Sequence, residues 1–85
     1  MSRNQNKRTY SRRWGVTIYQ QIEAEIQSAR KKFPAFHSLH EAYGTIKEEF
    51  EEFWDCVKTN EPGWEEELIQ TAAMCVAAIR ECSMT

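Results

Sequence analysis

Apolar residues recur through most of this 85-residue chain at the three-and-four spacing of an amphipathic helix. The first such stripe consists of Tyr19, Ile22, Ile26, Ala29 and Phe33. Thr17 and Gln20 have the spacing of a capping box, in which two side chains satisfy the free amides of a helix start. Pro34 follows the stripe and ends it. The pattern predicts a first helix over about residues 17–32.

A second helix is predicted over about residues 39–58. Ser38 and Glu41 form the S-x-x-E capping box before it, and residues 60–63, Asn-Glu-Pro-Gly, form the turn after it. Its predicted buried stripe consists of Leu39, Ile46, Phe50, Phe53 and Val57. Two aromatic residues, Tyr43 and Trp54, lie on one flank of this stripe.

A third helix is predicted over about residues 64–81. Three glutamates at residues 65–67 favour the positive end of its dipole. One face is apolar through Leu68, Ile69, Ala72, Val76 and Ile79, and the opposite face through Ala73, Met74, Ala77 and Ala78. A helix that is apolar nearly all round is buried on both sides. Three helices cannot bury the third one on both sides, so we expect a partner chain to cover it.

These elements predict an all-α protein with three helices per chain, which complete a four-helix-bundle core by oligomerisation. Strand signals are weak, since there is no strict apolar/polar alternation and no Asn-Gly or Asp-Gly hairpin. A single domain of this size buries only about 60% of its unfolded surface. We therefore expect a homodimer or a dimer of dimers.

Charge divides the chain into two parts. Residues 1–13 hold five basic residues and no acid, and they are predicted to form a flexible basic arm. Residues 14–85, the predicted helical domain, hold six basic and thirteen acidic residues. Because nucleic-acid binding would depend on the arm alone, the composition argues against it.

Cysteine usage and hydropathy indicate a cytoplasmic protein. The three cysteines, Cys56, Cys75 and Cys82, have no CxxC spacing, and an odd number favours reduced thiols. The longest apolar run, residues 72–79, is too short to cross a bilayer, and no secretion signal is evident. We expect no membrane association.

Residues 48–52, Glu-Glu-Phe-Glu-Glu, are the strongest candidate for chemistry. At 100° per residue from Ile46, Glu49 lies at about 300°, Glu52 at about 240° and Glu48 at about 200°. Glu49 thus borders the predicted core, and the other two fan away from it. Glutamates four residues apart repel each other, whereas carboxylate oxygens are good ligands for hard divalent cations. A solvated acidic face is the alternative, and it is the expected role of Glu51.

The segments at residues 37–43 and 46–54 resemble the MazG-like nucleotide pyrophosphohydrolases of the all-α NTP pyrophosphatase superfamily. That family carries EExxE on one helix and ExxD on the next. Glu48, Glu49 and Glu52 match the first half. The second half falls on Glu67 and Gln70, so that Gln replaces Asp. The resemblance covers about residues 15–82.

The resemblance implies Mg²⁺-dependent hydrolysis of a nucleoside triphosphate to a monophosphate and pyrophosphate. It implies a metal-ligand set of Glu48, Glu49, Glu52, Glu67 and Gln70, in which Glu49 is the candidate catalytic base. The candidate phosphate-binding residues are Lys47, Lys58 and Arg80.

Two departures from the family keep other functions open. Gln70 removes one charge from the ligand set, which favours a nucleotide- or metal-binding relative with weak turnover. Many relatives also have a fourth helix, so a subunit would have to borrow that wall from a neighbour. A helical interaction module without a small-molecule site is the third possibility, supported by the apolar third helix and the basic arm.

Overall fold

Three α-helices make up the part of the chain that the computed structural model describes, residues 16–83. They are α1 (Ile18–Lys32), α2 (Leu39–Thr59) and α3 (Trp64–Cys82). No strand occurs in residues 16–83. The predicted all-α class with three helices per chain is confirmed, whereas the predicted basic arm lies outside the described residues.

The predicted capping boxes explain where α1 and α2 begin. Thr17 Oγ1 accepts from the Gln20 amide at 3.1 Å, and Gln20 Oε1 accepts from the Thr17 amide at 2.8 Å. At α2, Ser38 Oγ accepts from the Glu41 amide at 3.1 Å. The Glu41 carboxylate accepts from the amide of His37, one residue before the N-cap, at 2.7 Å.

A tight turn joins α2 to α3. Asn60 ends α2 in the left-handed conformation with φ of 56°, and its amide and that of Glu61 donate to the carbonyls of Val57 and Cys56 at 3.3 and 3.0 Å. Gly63, with φ of 102°, precedes α3, and this conformation is strained for residues with a Cβ. Because the connection is so short, α2 and α3 are antiparallel neighbours.

The third helix lies between the other two. It packs against α1 and against α2, which do not pack against each other. Ala73 and Ala77 are fully buried on it, whereas Ile79 is 67% exposed. Leu68 is also 38% exposed, so the other apolar face of α3 is only partly covered within the chain, and the expectation that a partner chain covers it stays a prediction.

The core forms around Ile26, Ala73, Met74 and Ala77. Side chains packed against it are Ile22, Ala29, Phe36, Ile46 and Val76. Two members of the predicted α1 stripe stay outside, since Tyr19 is 82% exposed and Phe33 64% exposed. Both lie near the ends of α1. In residues 16–83, no helix is both long and apolar enough to span a membrane.

The buried face of α2 differs from the predicted one. Ala42 and Cys56 are each 2% exposed, and both lie near 300° on the same helical scale. The predicted stripe, centred near 10°, is largely in solvent. Its exposed members are Leu39, Phe50 and Val57, and the flanking Tyr43 and Trp54 are exposed as well. α2 contacts α3, and small side chains at a helix contact allow a closer approach than large ones, which favours the side with Ala42 and Cys56.

A charged cluster fastens α1 and the following loop to the end of α3. Arg30 donates from Nε and Nη2 to the two carboxylate oxygens of Glu81, at 2.6 and 2.7 Å. Glu81 also accepts from the Phe36 amide at 2.8 Å, and the Arg30 guanidinium lies 5.1 Å from the Phe36 ring centre. The bonds from Arg30, and then that from Phe36, lower the pKa of Glu81.

Replacing Glu81 tests this cluster. Both partners are at most 20% exposed, so Glu81→Gln should lower the free energy of unfolding at pH 7 by about 1–2 kcal/mol. A lowered folded-state pKa stabilises the protein above the ordinary carboxyl value of about 4.3, and this contribution is lost as the pH falls through the folded value. Denaturant unfolding from pH 7 to 2 should show the two proteins converging only at the acidic end.

The matched control is Glu23→Gln. Glu23 pairs with Arg80 across the same two helices with a closest distance of 2.7 Å, but both side chains are about half exposed. Solvent screening should make its loss the smaller of the two. Equal losses for the two variants would contradict the proposed importance of the Glu81 cluster.

Candidate metal centre

Three glutamates from two helices converge at the contact between α2 and α3. Glu49 and Glu52 lie one turn apart on α2, and Glu67 lies in the first turn of α3. Each offers a carboxylate oxygen, and these three oxygens lie within 4.8 Å of one another. Glu67 is fully buried, whereas Glu49 and Glu52 are partly buried.

The position of the buried face on α2 explains this convergence. Glu49 lies at about 300°, on the line of Ala42 and Cys56 that contacts α3. Glu52, at about 240°, lies one step to the side. These carboxylates thus extend from the small-residue face of α2 toward α3. The sequence analysis had placed Glu49 at the border of a core formed by the larger residues of α2.

Gln70 lies beside the cluster, one turn after Glu67. With its amide nitrogen toward α2, it donates to Glu49 Oε1 at 3.0 Å and to Glu67 Oε1 at 3.3 Å. In the opposite orientation the nitrogen lies 3.4 Å from Glu66 Oε2. One end of the Gln70 amide therefore adjoins Glu49 and Glu67, and the other end lies beside Glu66.

The donor set fits a hard divalent cation. Carboxylate and amide oxygens are the protein ligands that Mg²⁺ prefers. With bonds of about 2.1 Å, two oxygens on one Mg²⁺ are at most about 4.2 Å apart. Oxygens at right angles on the same ion are only about 3.0 Å apart. The three carboxylate oxygens, which lie within 4.8 Å of one another, would therefore have to draw closer together on binding, which flexible glutamate side chains allow.

The structure groups some predicted site residues and separates others. Glu49, Glu52 and Glu67 come together with Gln70 at their edge. Glu48 is exposed and is not one of the three grouped glutamates. By the helical angles it lies about 100° from Glu49.

The three predicted phosphate-binding residues have partners outside the cluster. Lys47 pairs with Glu51 one turn along α2, and this bond raises the pKa of Lys47. Lys58 lies 3.4 Å from Asp55. The third residue, Arg80, pairs with Glu23 of α1. Their role at phosphates stays a prediction.

An open, mostly apolar groove of about 650 Å³ lies between α1 and α3. Ile18, Ile22, Trp64 and Leu68 supply much of its wall, and the nearly buried Gln21 adds an amide. Glu65 and Glu66 line the same groove. Since Gln70 reaches Glu66 on one side and Glu49 on the other, the groove and the carboxylate cluster adjoin each other.

Glu66 was not predicted to lie between the groove and the carboxylate cluster. It was assigned with its two neighbours to the helix dipole. Its spacing of four residues from Gln70 was the available signal, because side chains at i and i+4 meet on a helix. Nothing in the sequence placed α1 beside it.

Comparisons with known proteins leave the family unassigned. No protein-family model matches the chain, and neither a curated protein nor a solved structure matches it. The chemistry of the site must therefore be argued from its own residues.

Neutralising the buried glutamate should stabilise the metal-free protein. Glu67→Gln keeps the shape of the side chain and removes one of three like charges within 4.8 Å. We expect the free energy of unfolding to rise by about 1 kcal/mol or more, because carboxylate repulsion falls.

Thermal or urea unfolding in a chelator checks this expectation. Glu65→Gln is the matched control, since Glu65 is the exposed glutamate two positions earlier. Its free energy of unfolding should change by no more than about 0.5 kcal/mol. A Glu67→Gln variant less stable than the control would mean that the cluster is not under electrostatic strain.

Proposed function

We propose that this protein is a Mg²⁺-dependent nucleoside triphosphate pyrophosphohydrolase of the MazG-like type, which releases a monophosphate and pyrophosphate. The observation that carries the proposal is the convergence of Glu49, Glu52 and Glu67 from two helices. Most glutamates on a helix face solvent, where they are well hydrated. A fully buried Glu67 beside two further carboxylates is disfavoured in the absence of a positive charge.

The chain's own residues would divide the work as follows. Glu49, Glu52 and Glu67 would hold Mg²⁺, and the Gln70 carbonyl could add a neutral ligand. When bound, Mg²⁺ would neutralise phosphate charge and make an attacking water more acidic. Glu49, on the α3-facing line of α2 and within reach of the Gln70 amide, is the candidate base that orients and deprotonates that water.

The groove between α1 and α3 supports a nucleotide as the substrate. Its volume of about 650 Å³ is within the range of small-molecule sites. Trp64 offers an aromatic face and Gln21 an amide, the groups that stack on and hydrogen-bond to a base. With the base in this groove, the triphosphate chain of the nucleotide would extend past Glu66 and reach the carboxylate cluster.

A relative that binds nucleotide but hydrolyses it slowly is the second candidate. It is favoured by Gln70, which gives the site an amide where the family motif has a carboxylate. Pyrophosphate release from a panel of nucleoside triphosphates separates the two candidates. Mg²⁺-dependent thermal stabilisation in the absence of hydrolysis would favour the second.

Neighbouring glutamates on α2 should behave differently in these assays. Glu49→Gln should abolish both the stabilisation by Mg²⁺ and pyrophosphate release, because it removes a ligand and the candidate base. Glu51→Gln is the control, since Glu51 is exposed on the far side of α2 and pairs with Lys47. Similar responses of the two variants would refute the site.

The exposed stripe of α2 supports the further proposal of a homodimer, or a dimer of dimers, in which a bundle core is completed between chains. Five large apolar side chains lie on one side of the helix in solvent, Leu39, Tyr43, Phe50, Trp54 and Val57. A contiguous apolar face of this kind is typical of a protein interface. A monomeric interaction module would need the same stripe for another partner.

Charging this stripe tests the assembly. Phe50 is 54% exposed at its centre, so Phe50→Glu should convert the oligomer to a monomer at micromolar concentration in sedimentation velocity. Phe33→Glu is the control, because Phe33 is 64% exposed at the C-cap of α1 and is not part of the stripe. A wild-type protein that is already a folded monomer at these concentrations would exclude the homodimer.

A further inference from the structure

The groove between α1 and α3 exposes apolar surface beside acidic side chains. Ile18 is 62% exposed, Trp64 48% and Leu68 38%, and all three line it. Glu65 and Glu66 line it too, and its lining within residues 16–83 includes no lysine, arginine or histidine. The groove therefore suits an occupant that carries apolar and positively charged groups together.

The groove lies where both of its helices begin. Ile18 is the first residue of α1 and Trp64 is the first residue of α3, and both belong to its wall. The chain enters α1 from residues 1–15, so this N-terminal segment is attached at the edge of the groove itself. A segment tethered so closely has an effective concentration in about the millimolar range, and it can occupy a nearby site through few contacts.

The composition of the N-terminal segment matches the lining of the groove. The segment holds five basic residues and no acidic one, and two of these, Arg12 and Arg13, stand between Tyr10 and Trp14. Aromatic rings fit an apolar wall, and a guanidinium can pair with a carboxylate or lie over the ring of Trp64. Apolar and cationic groups are thus adjacent in the segment, as apolar and acidic groups are in the groove.

The described helices are a poorer source of positive charge for this groove. Residues 16–83 contain six basic residues. Four of them pair with acids that do not line the groove, and these four are Arg30, Lys47, Lys58 and Arg80. The concentration of positive charge at residues 1–15 is therefore the best match within the chain.

The reach of the segment allows the contact. Trp14 stands four residues before Ile18, and four residues extend over at most about 14 Å. Tyr10 stands four residues earlier and has about twice that reach. The groove follows α3 from Trp64 to Ala72, a rise of about 12 Å. Both rings can therefore reach the wall without any movement of the helices.

We propose that residues 1–15 dock in the groove between α1 and α3 of their own chain. Trp14 packs on Leu68 and Ile69, and the two arginines beside it lie at the glutamates of the groove. The contact requires neither Mg²⁺ nor hydrolysis, so it does not rest on the proposed function. A nucleotide base in the same groove would have to displace the segment, so that the two would compete for one surface.

Methyl NMR spectra of the full chain, without nucleotide or Mg²⁺, test the contact. An aromatic ring shifts the signals of methyl groups packed on it, so Trp14→Ala should move the methyl signals of Leu68 and Ile69. Trp54→Ala is the matched control, because Trp54 is 51% exposed on the apolar stripe of α2 and does not line the groove. Methyl signals that stay in place in Trp14→Ala would overturn the proposal.

Charge reversal tests what recognises the segment. In a chain with both Arg12→Glu and Arg13→Glu, the ratio of docked to free segment should fall about fivefold, which moves the methyl signals toward their positions in Trp14→Ala. A chain with both Arg3→Glu and Lys7→Glu has the same net charge and should show a smaller effect. Equal effects of the two double variants would contradict recognition by the arginines beside Trp14.

A charge swap distinguishes pairing at the groove from a general effect of net charge. Adding Glu65→Lys to the chain with Arg12→Glu and Arg13→Glu places opposite charges face to face again. The methyl signals should then return part of the way to their wild-type positions. If they do not return, the glutamates of the groove do not hold the segment.

Contacts between chains decide whether a second copy occupies the groove instead. In a mixture of labelled and unlabelled chains, isotope-filtered NOEs report only contacts between chains. We expect NOEs from the Trp14 ring to Leu68 within one chain and none between chains. Filtered NOEs to Leu68 or Ile69 would overturn the proposal, because a second copy would then cover the groove. None of these measurements involves a nucleotide, so their failure would leave the proposed function standing.

Discussion

The packing of α2 against α3, with only small residues of α2 fully buried, is the constraint on which the rest of the structure depends. Ala42 and Cys56 on α2 and Ala73 and Ala77 on α3 are almost completely buried, and none of them has a large side chain. Small residues let two helix backbones come near each other. Two consequences follow. The large apolar side chains of α2 lie outside this contact, and long glutamate side chains from both helices meet at it.

The helix positions could be predicted well from local signals, but the buried face of α2 could not. Thr17, Ser38, Pro34 and Gly63 act within a few residues of their own positions, so each helix begins and ends close to its predicted residues. The choice of face depends on what packs opposite. Hydrophobicity favoured the stripe with Phe50, whereas in the structure α2 buries the side that carries the small residues Ala42 and Cys56.

The same limit applies to the candidate site. Glu49, Glu52 and Glu67 could be named in advance from the resemblance to the MazG-like motif, and the structure brings the three together. Glu48 belongs to the same motif, yet its angle on α2 takes it into solvent. Glu66 lies outside this motif, because the ExxD half was matched to Glu67 and Gln70. Its place beside Gln70 and the α1 groove depends on three helices at once, which no local pattern contains.

The electrostatics of the α2–α3 contact connect fold and function. Packing on small residues brings Glu49 toward a fully buried Glu67, and the free energy lost to their repulsion must be offset within the chain or by a ligand. Gln70 can supply hydrogen-bond donors but no charge. A carboxylate there would bind a cation more strongly and destabilise the cation-free fold further. In the proposed metal site, an amide at this position would therefore favour the stability of the metal-free protein over the affinity for the cation, which matters most in a small domain with a thin core.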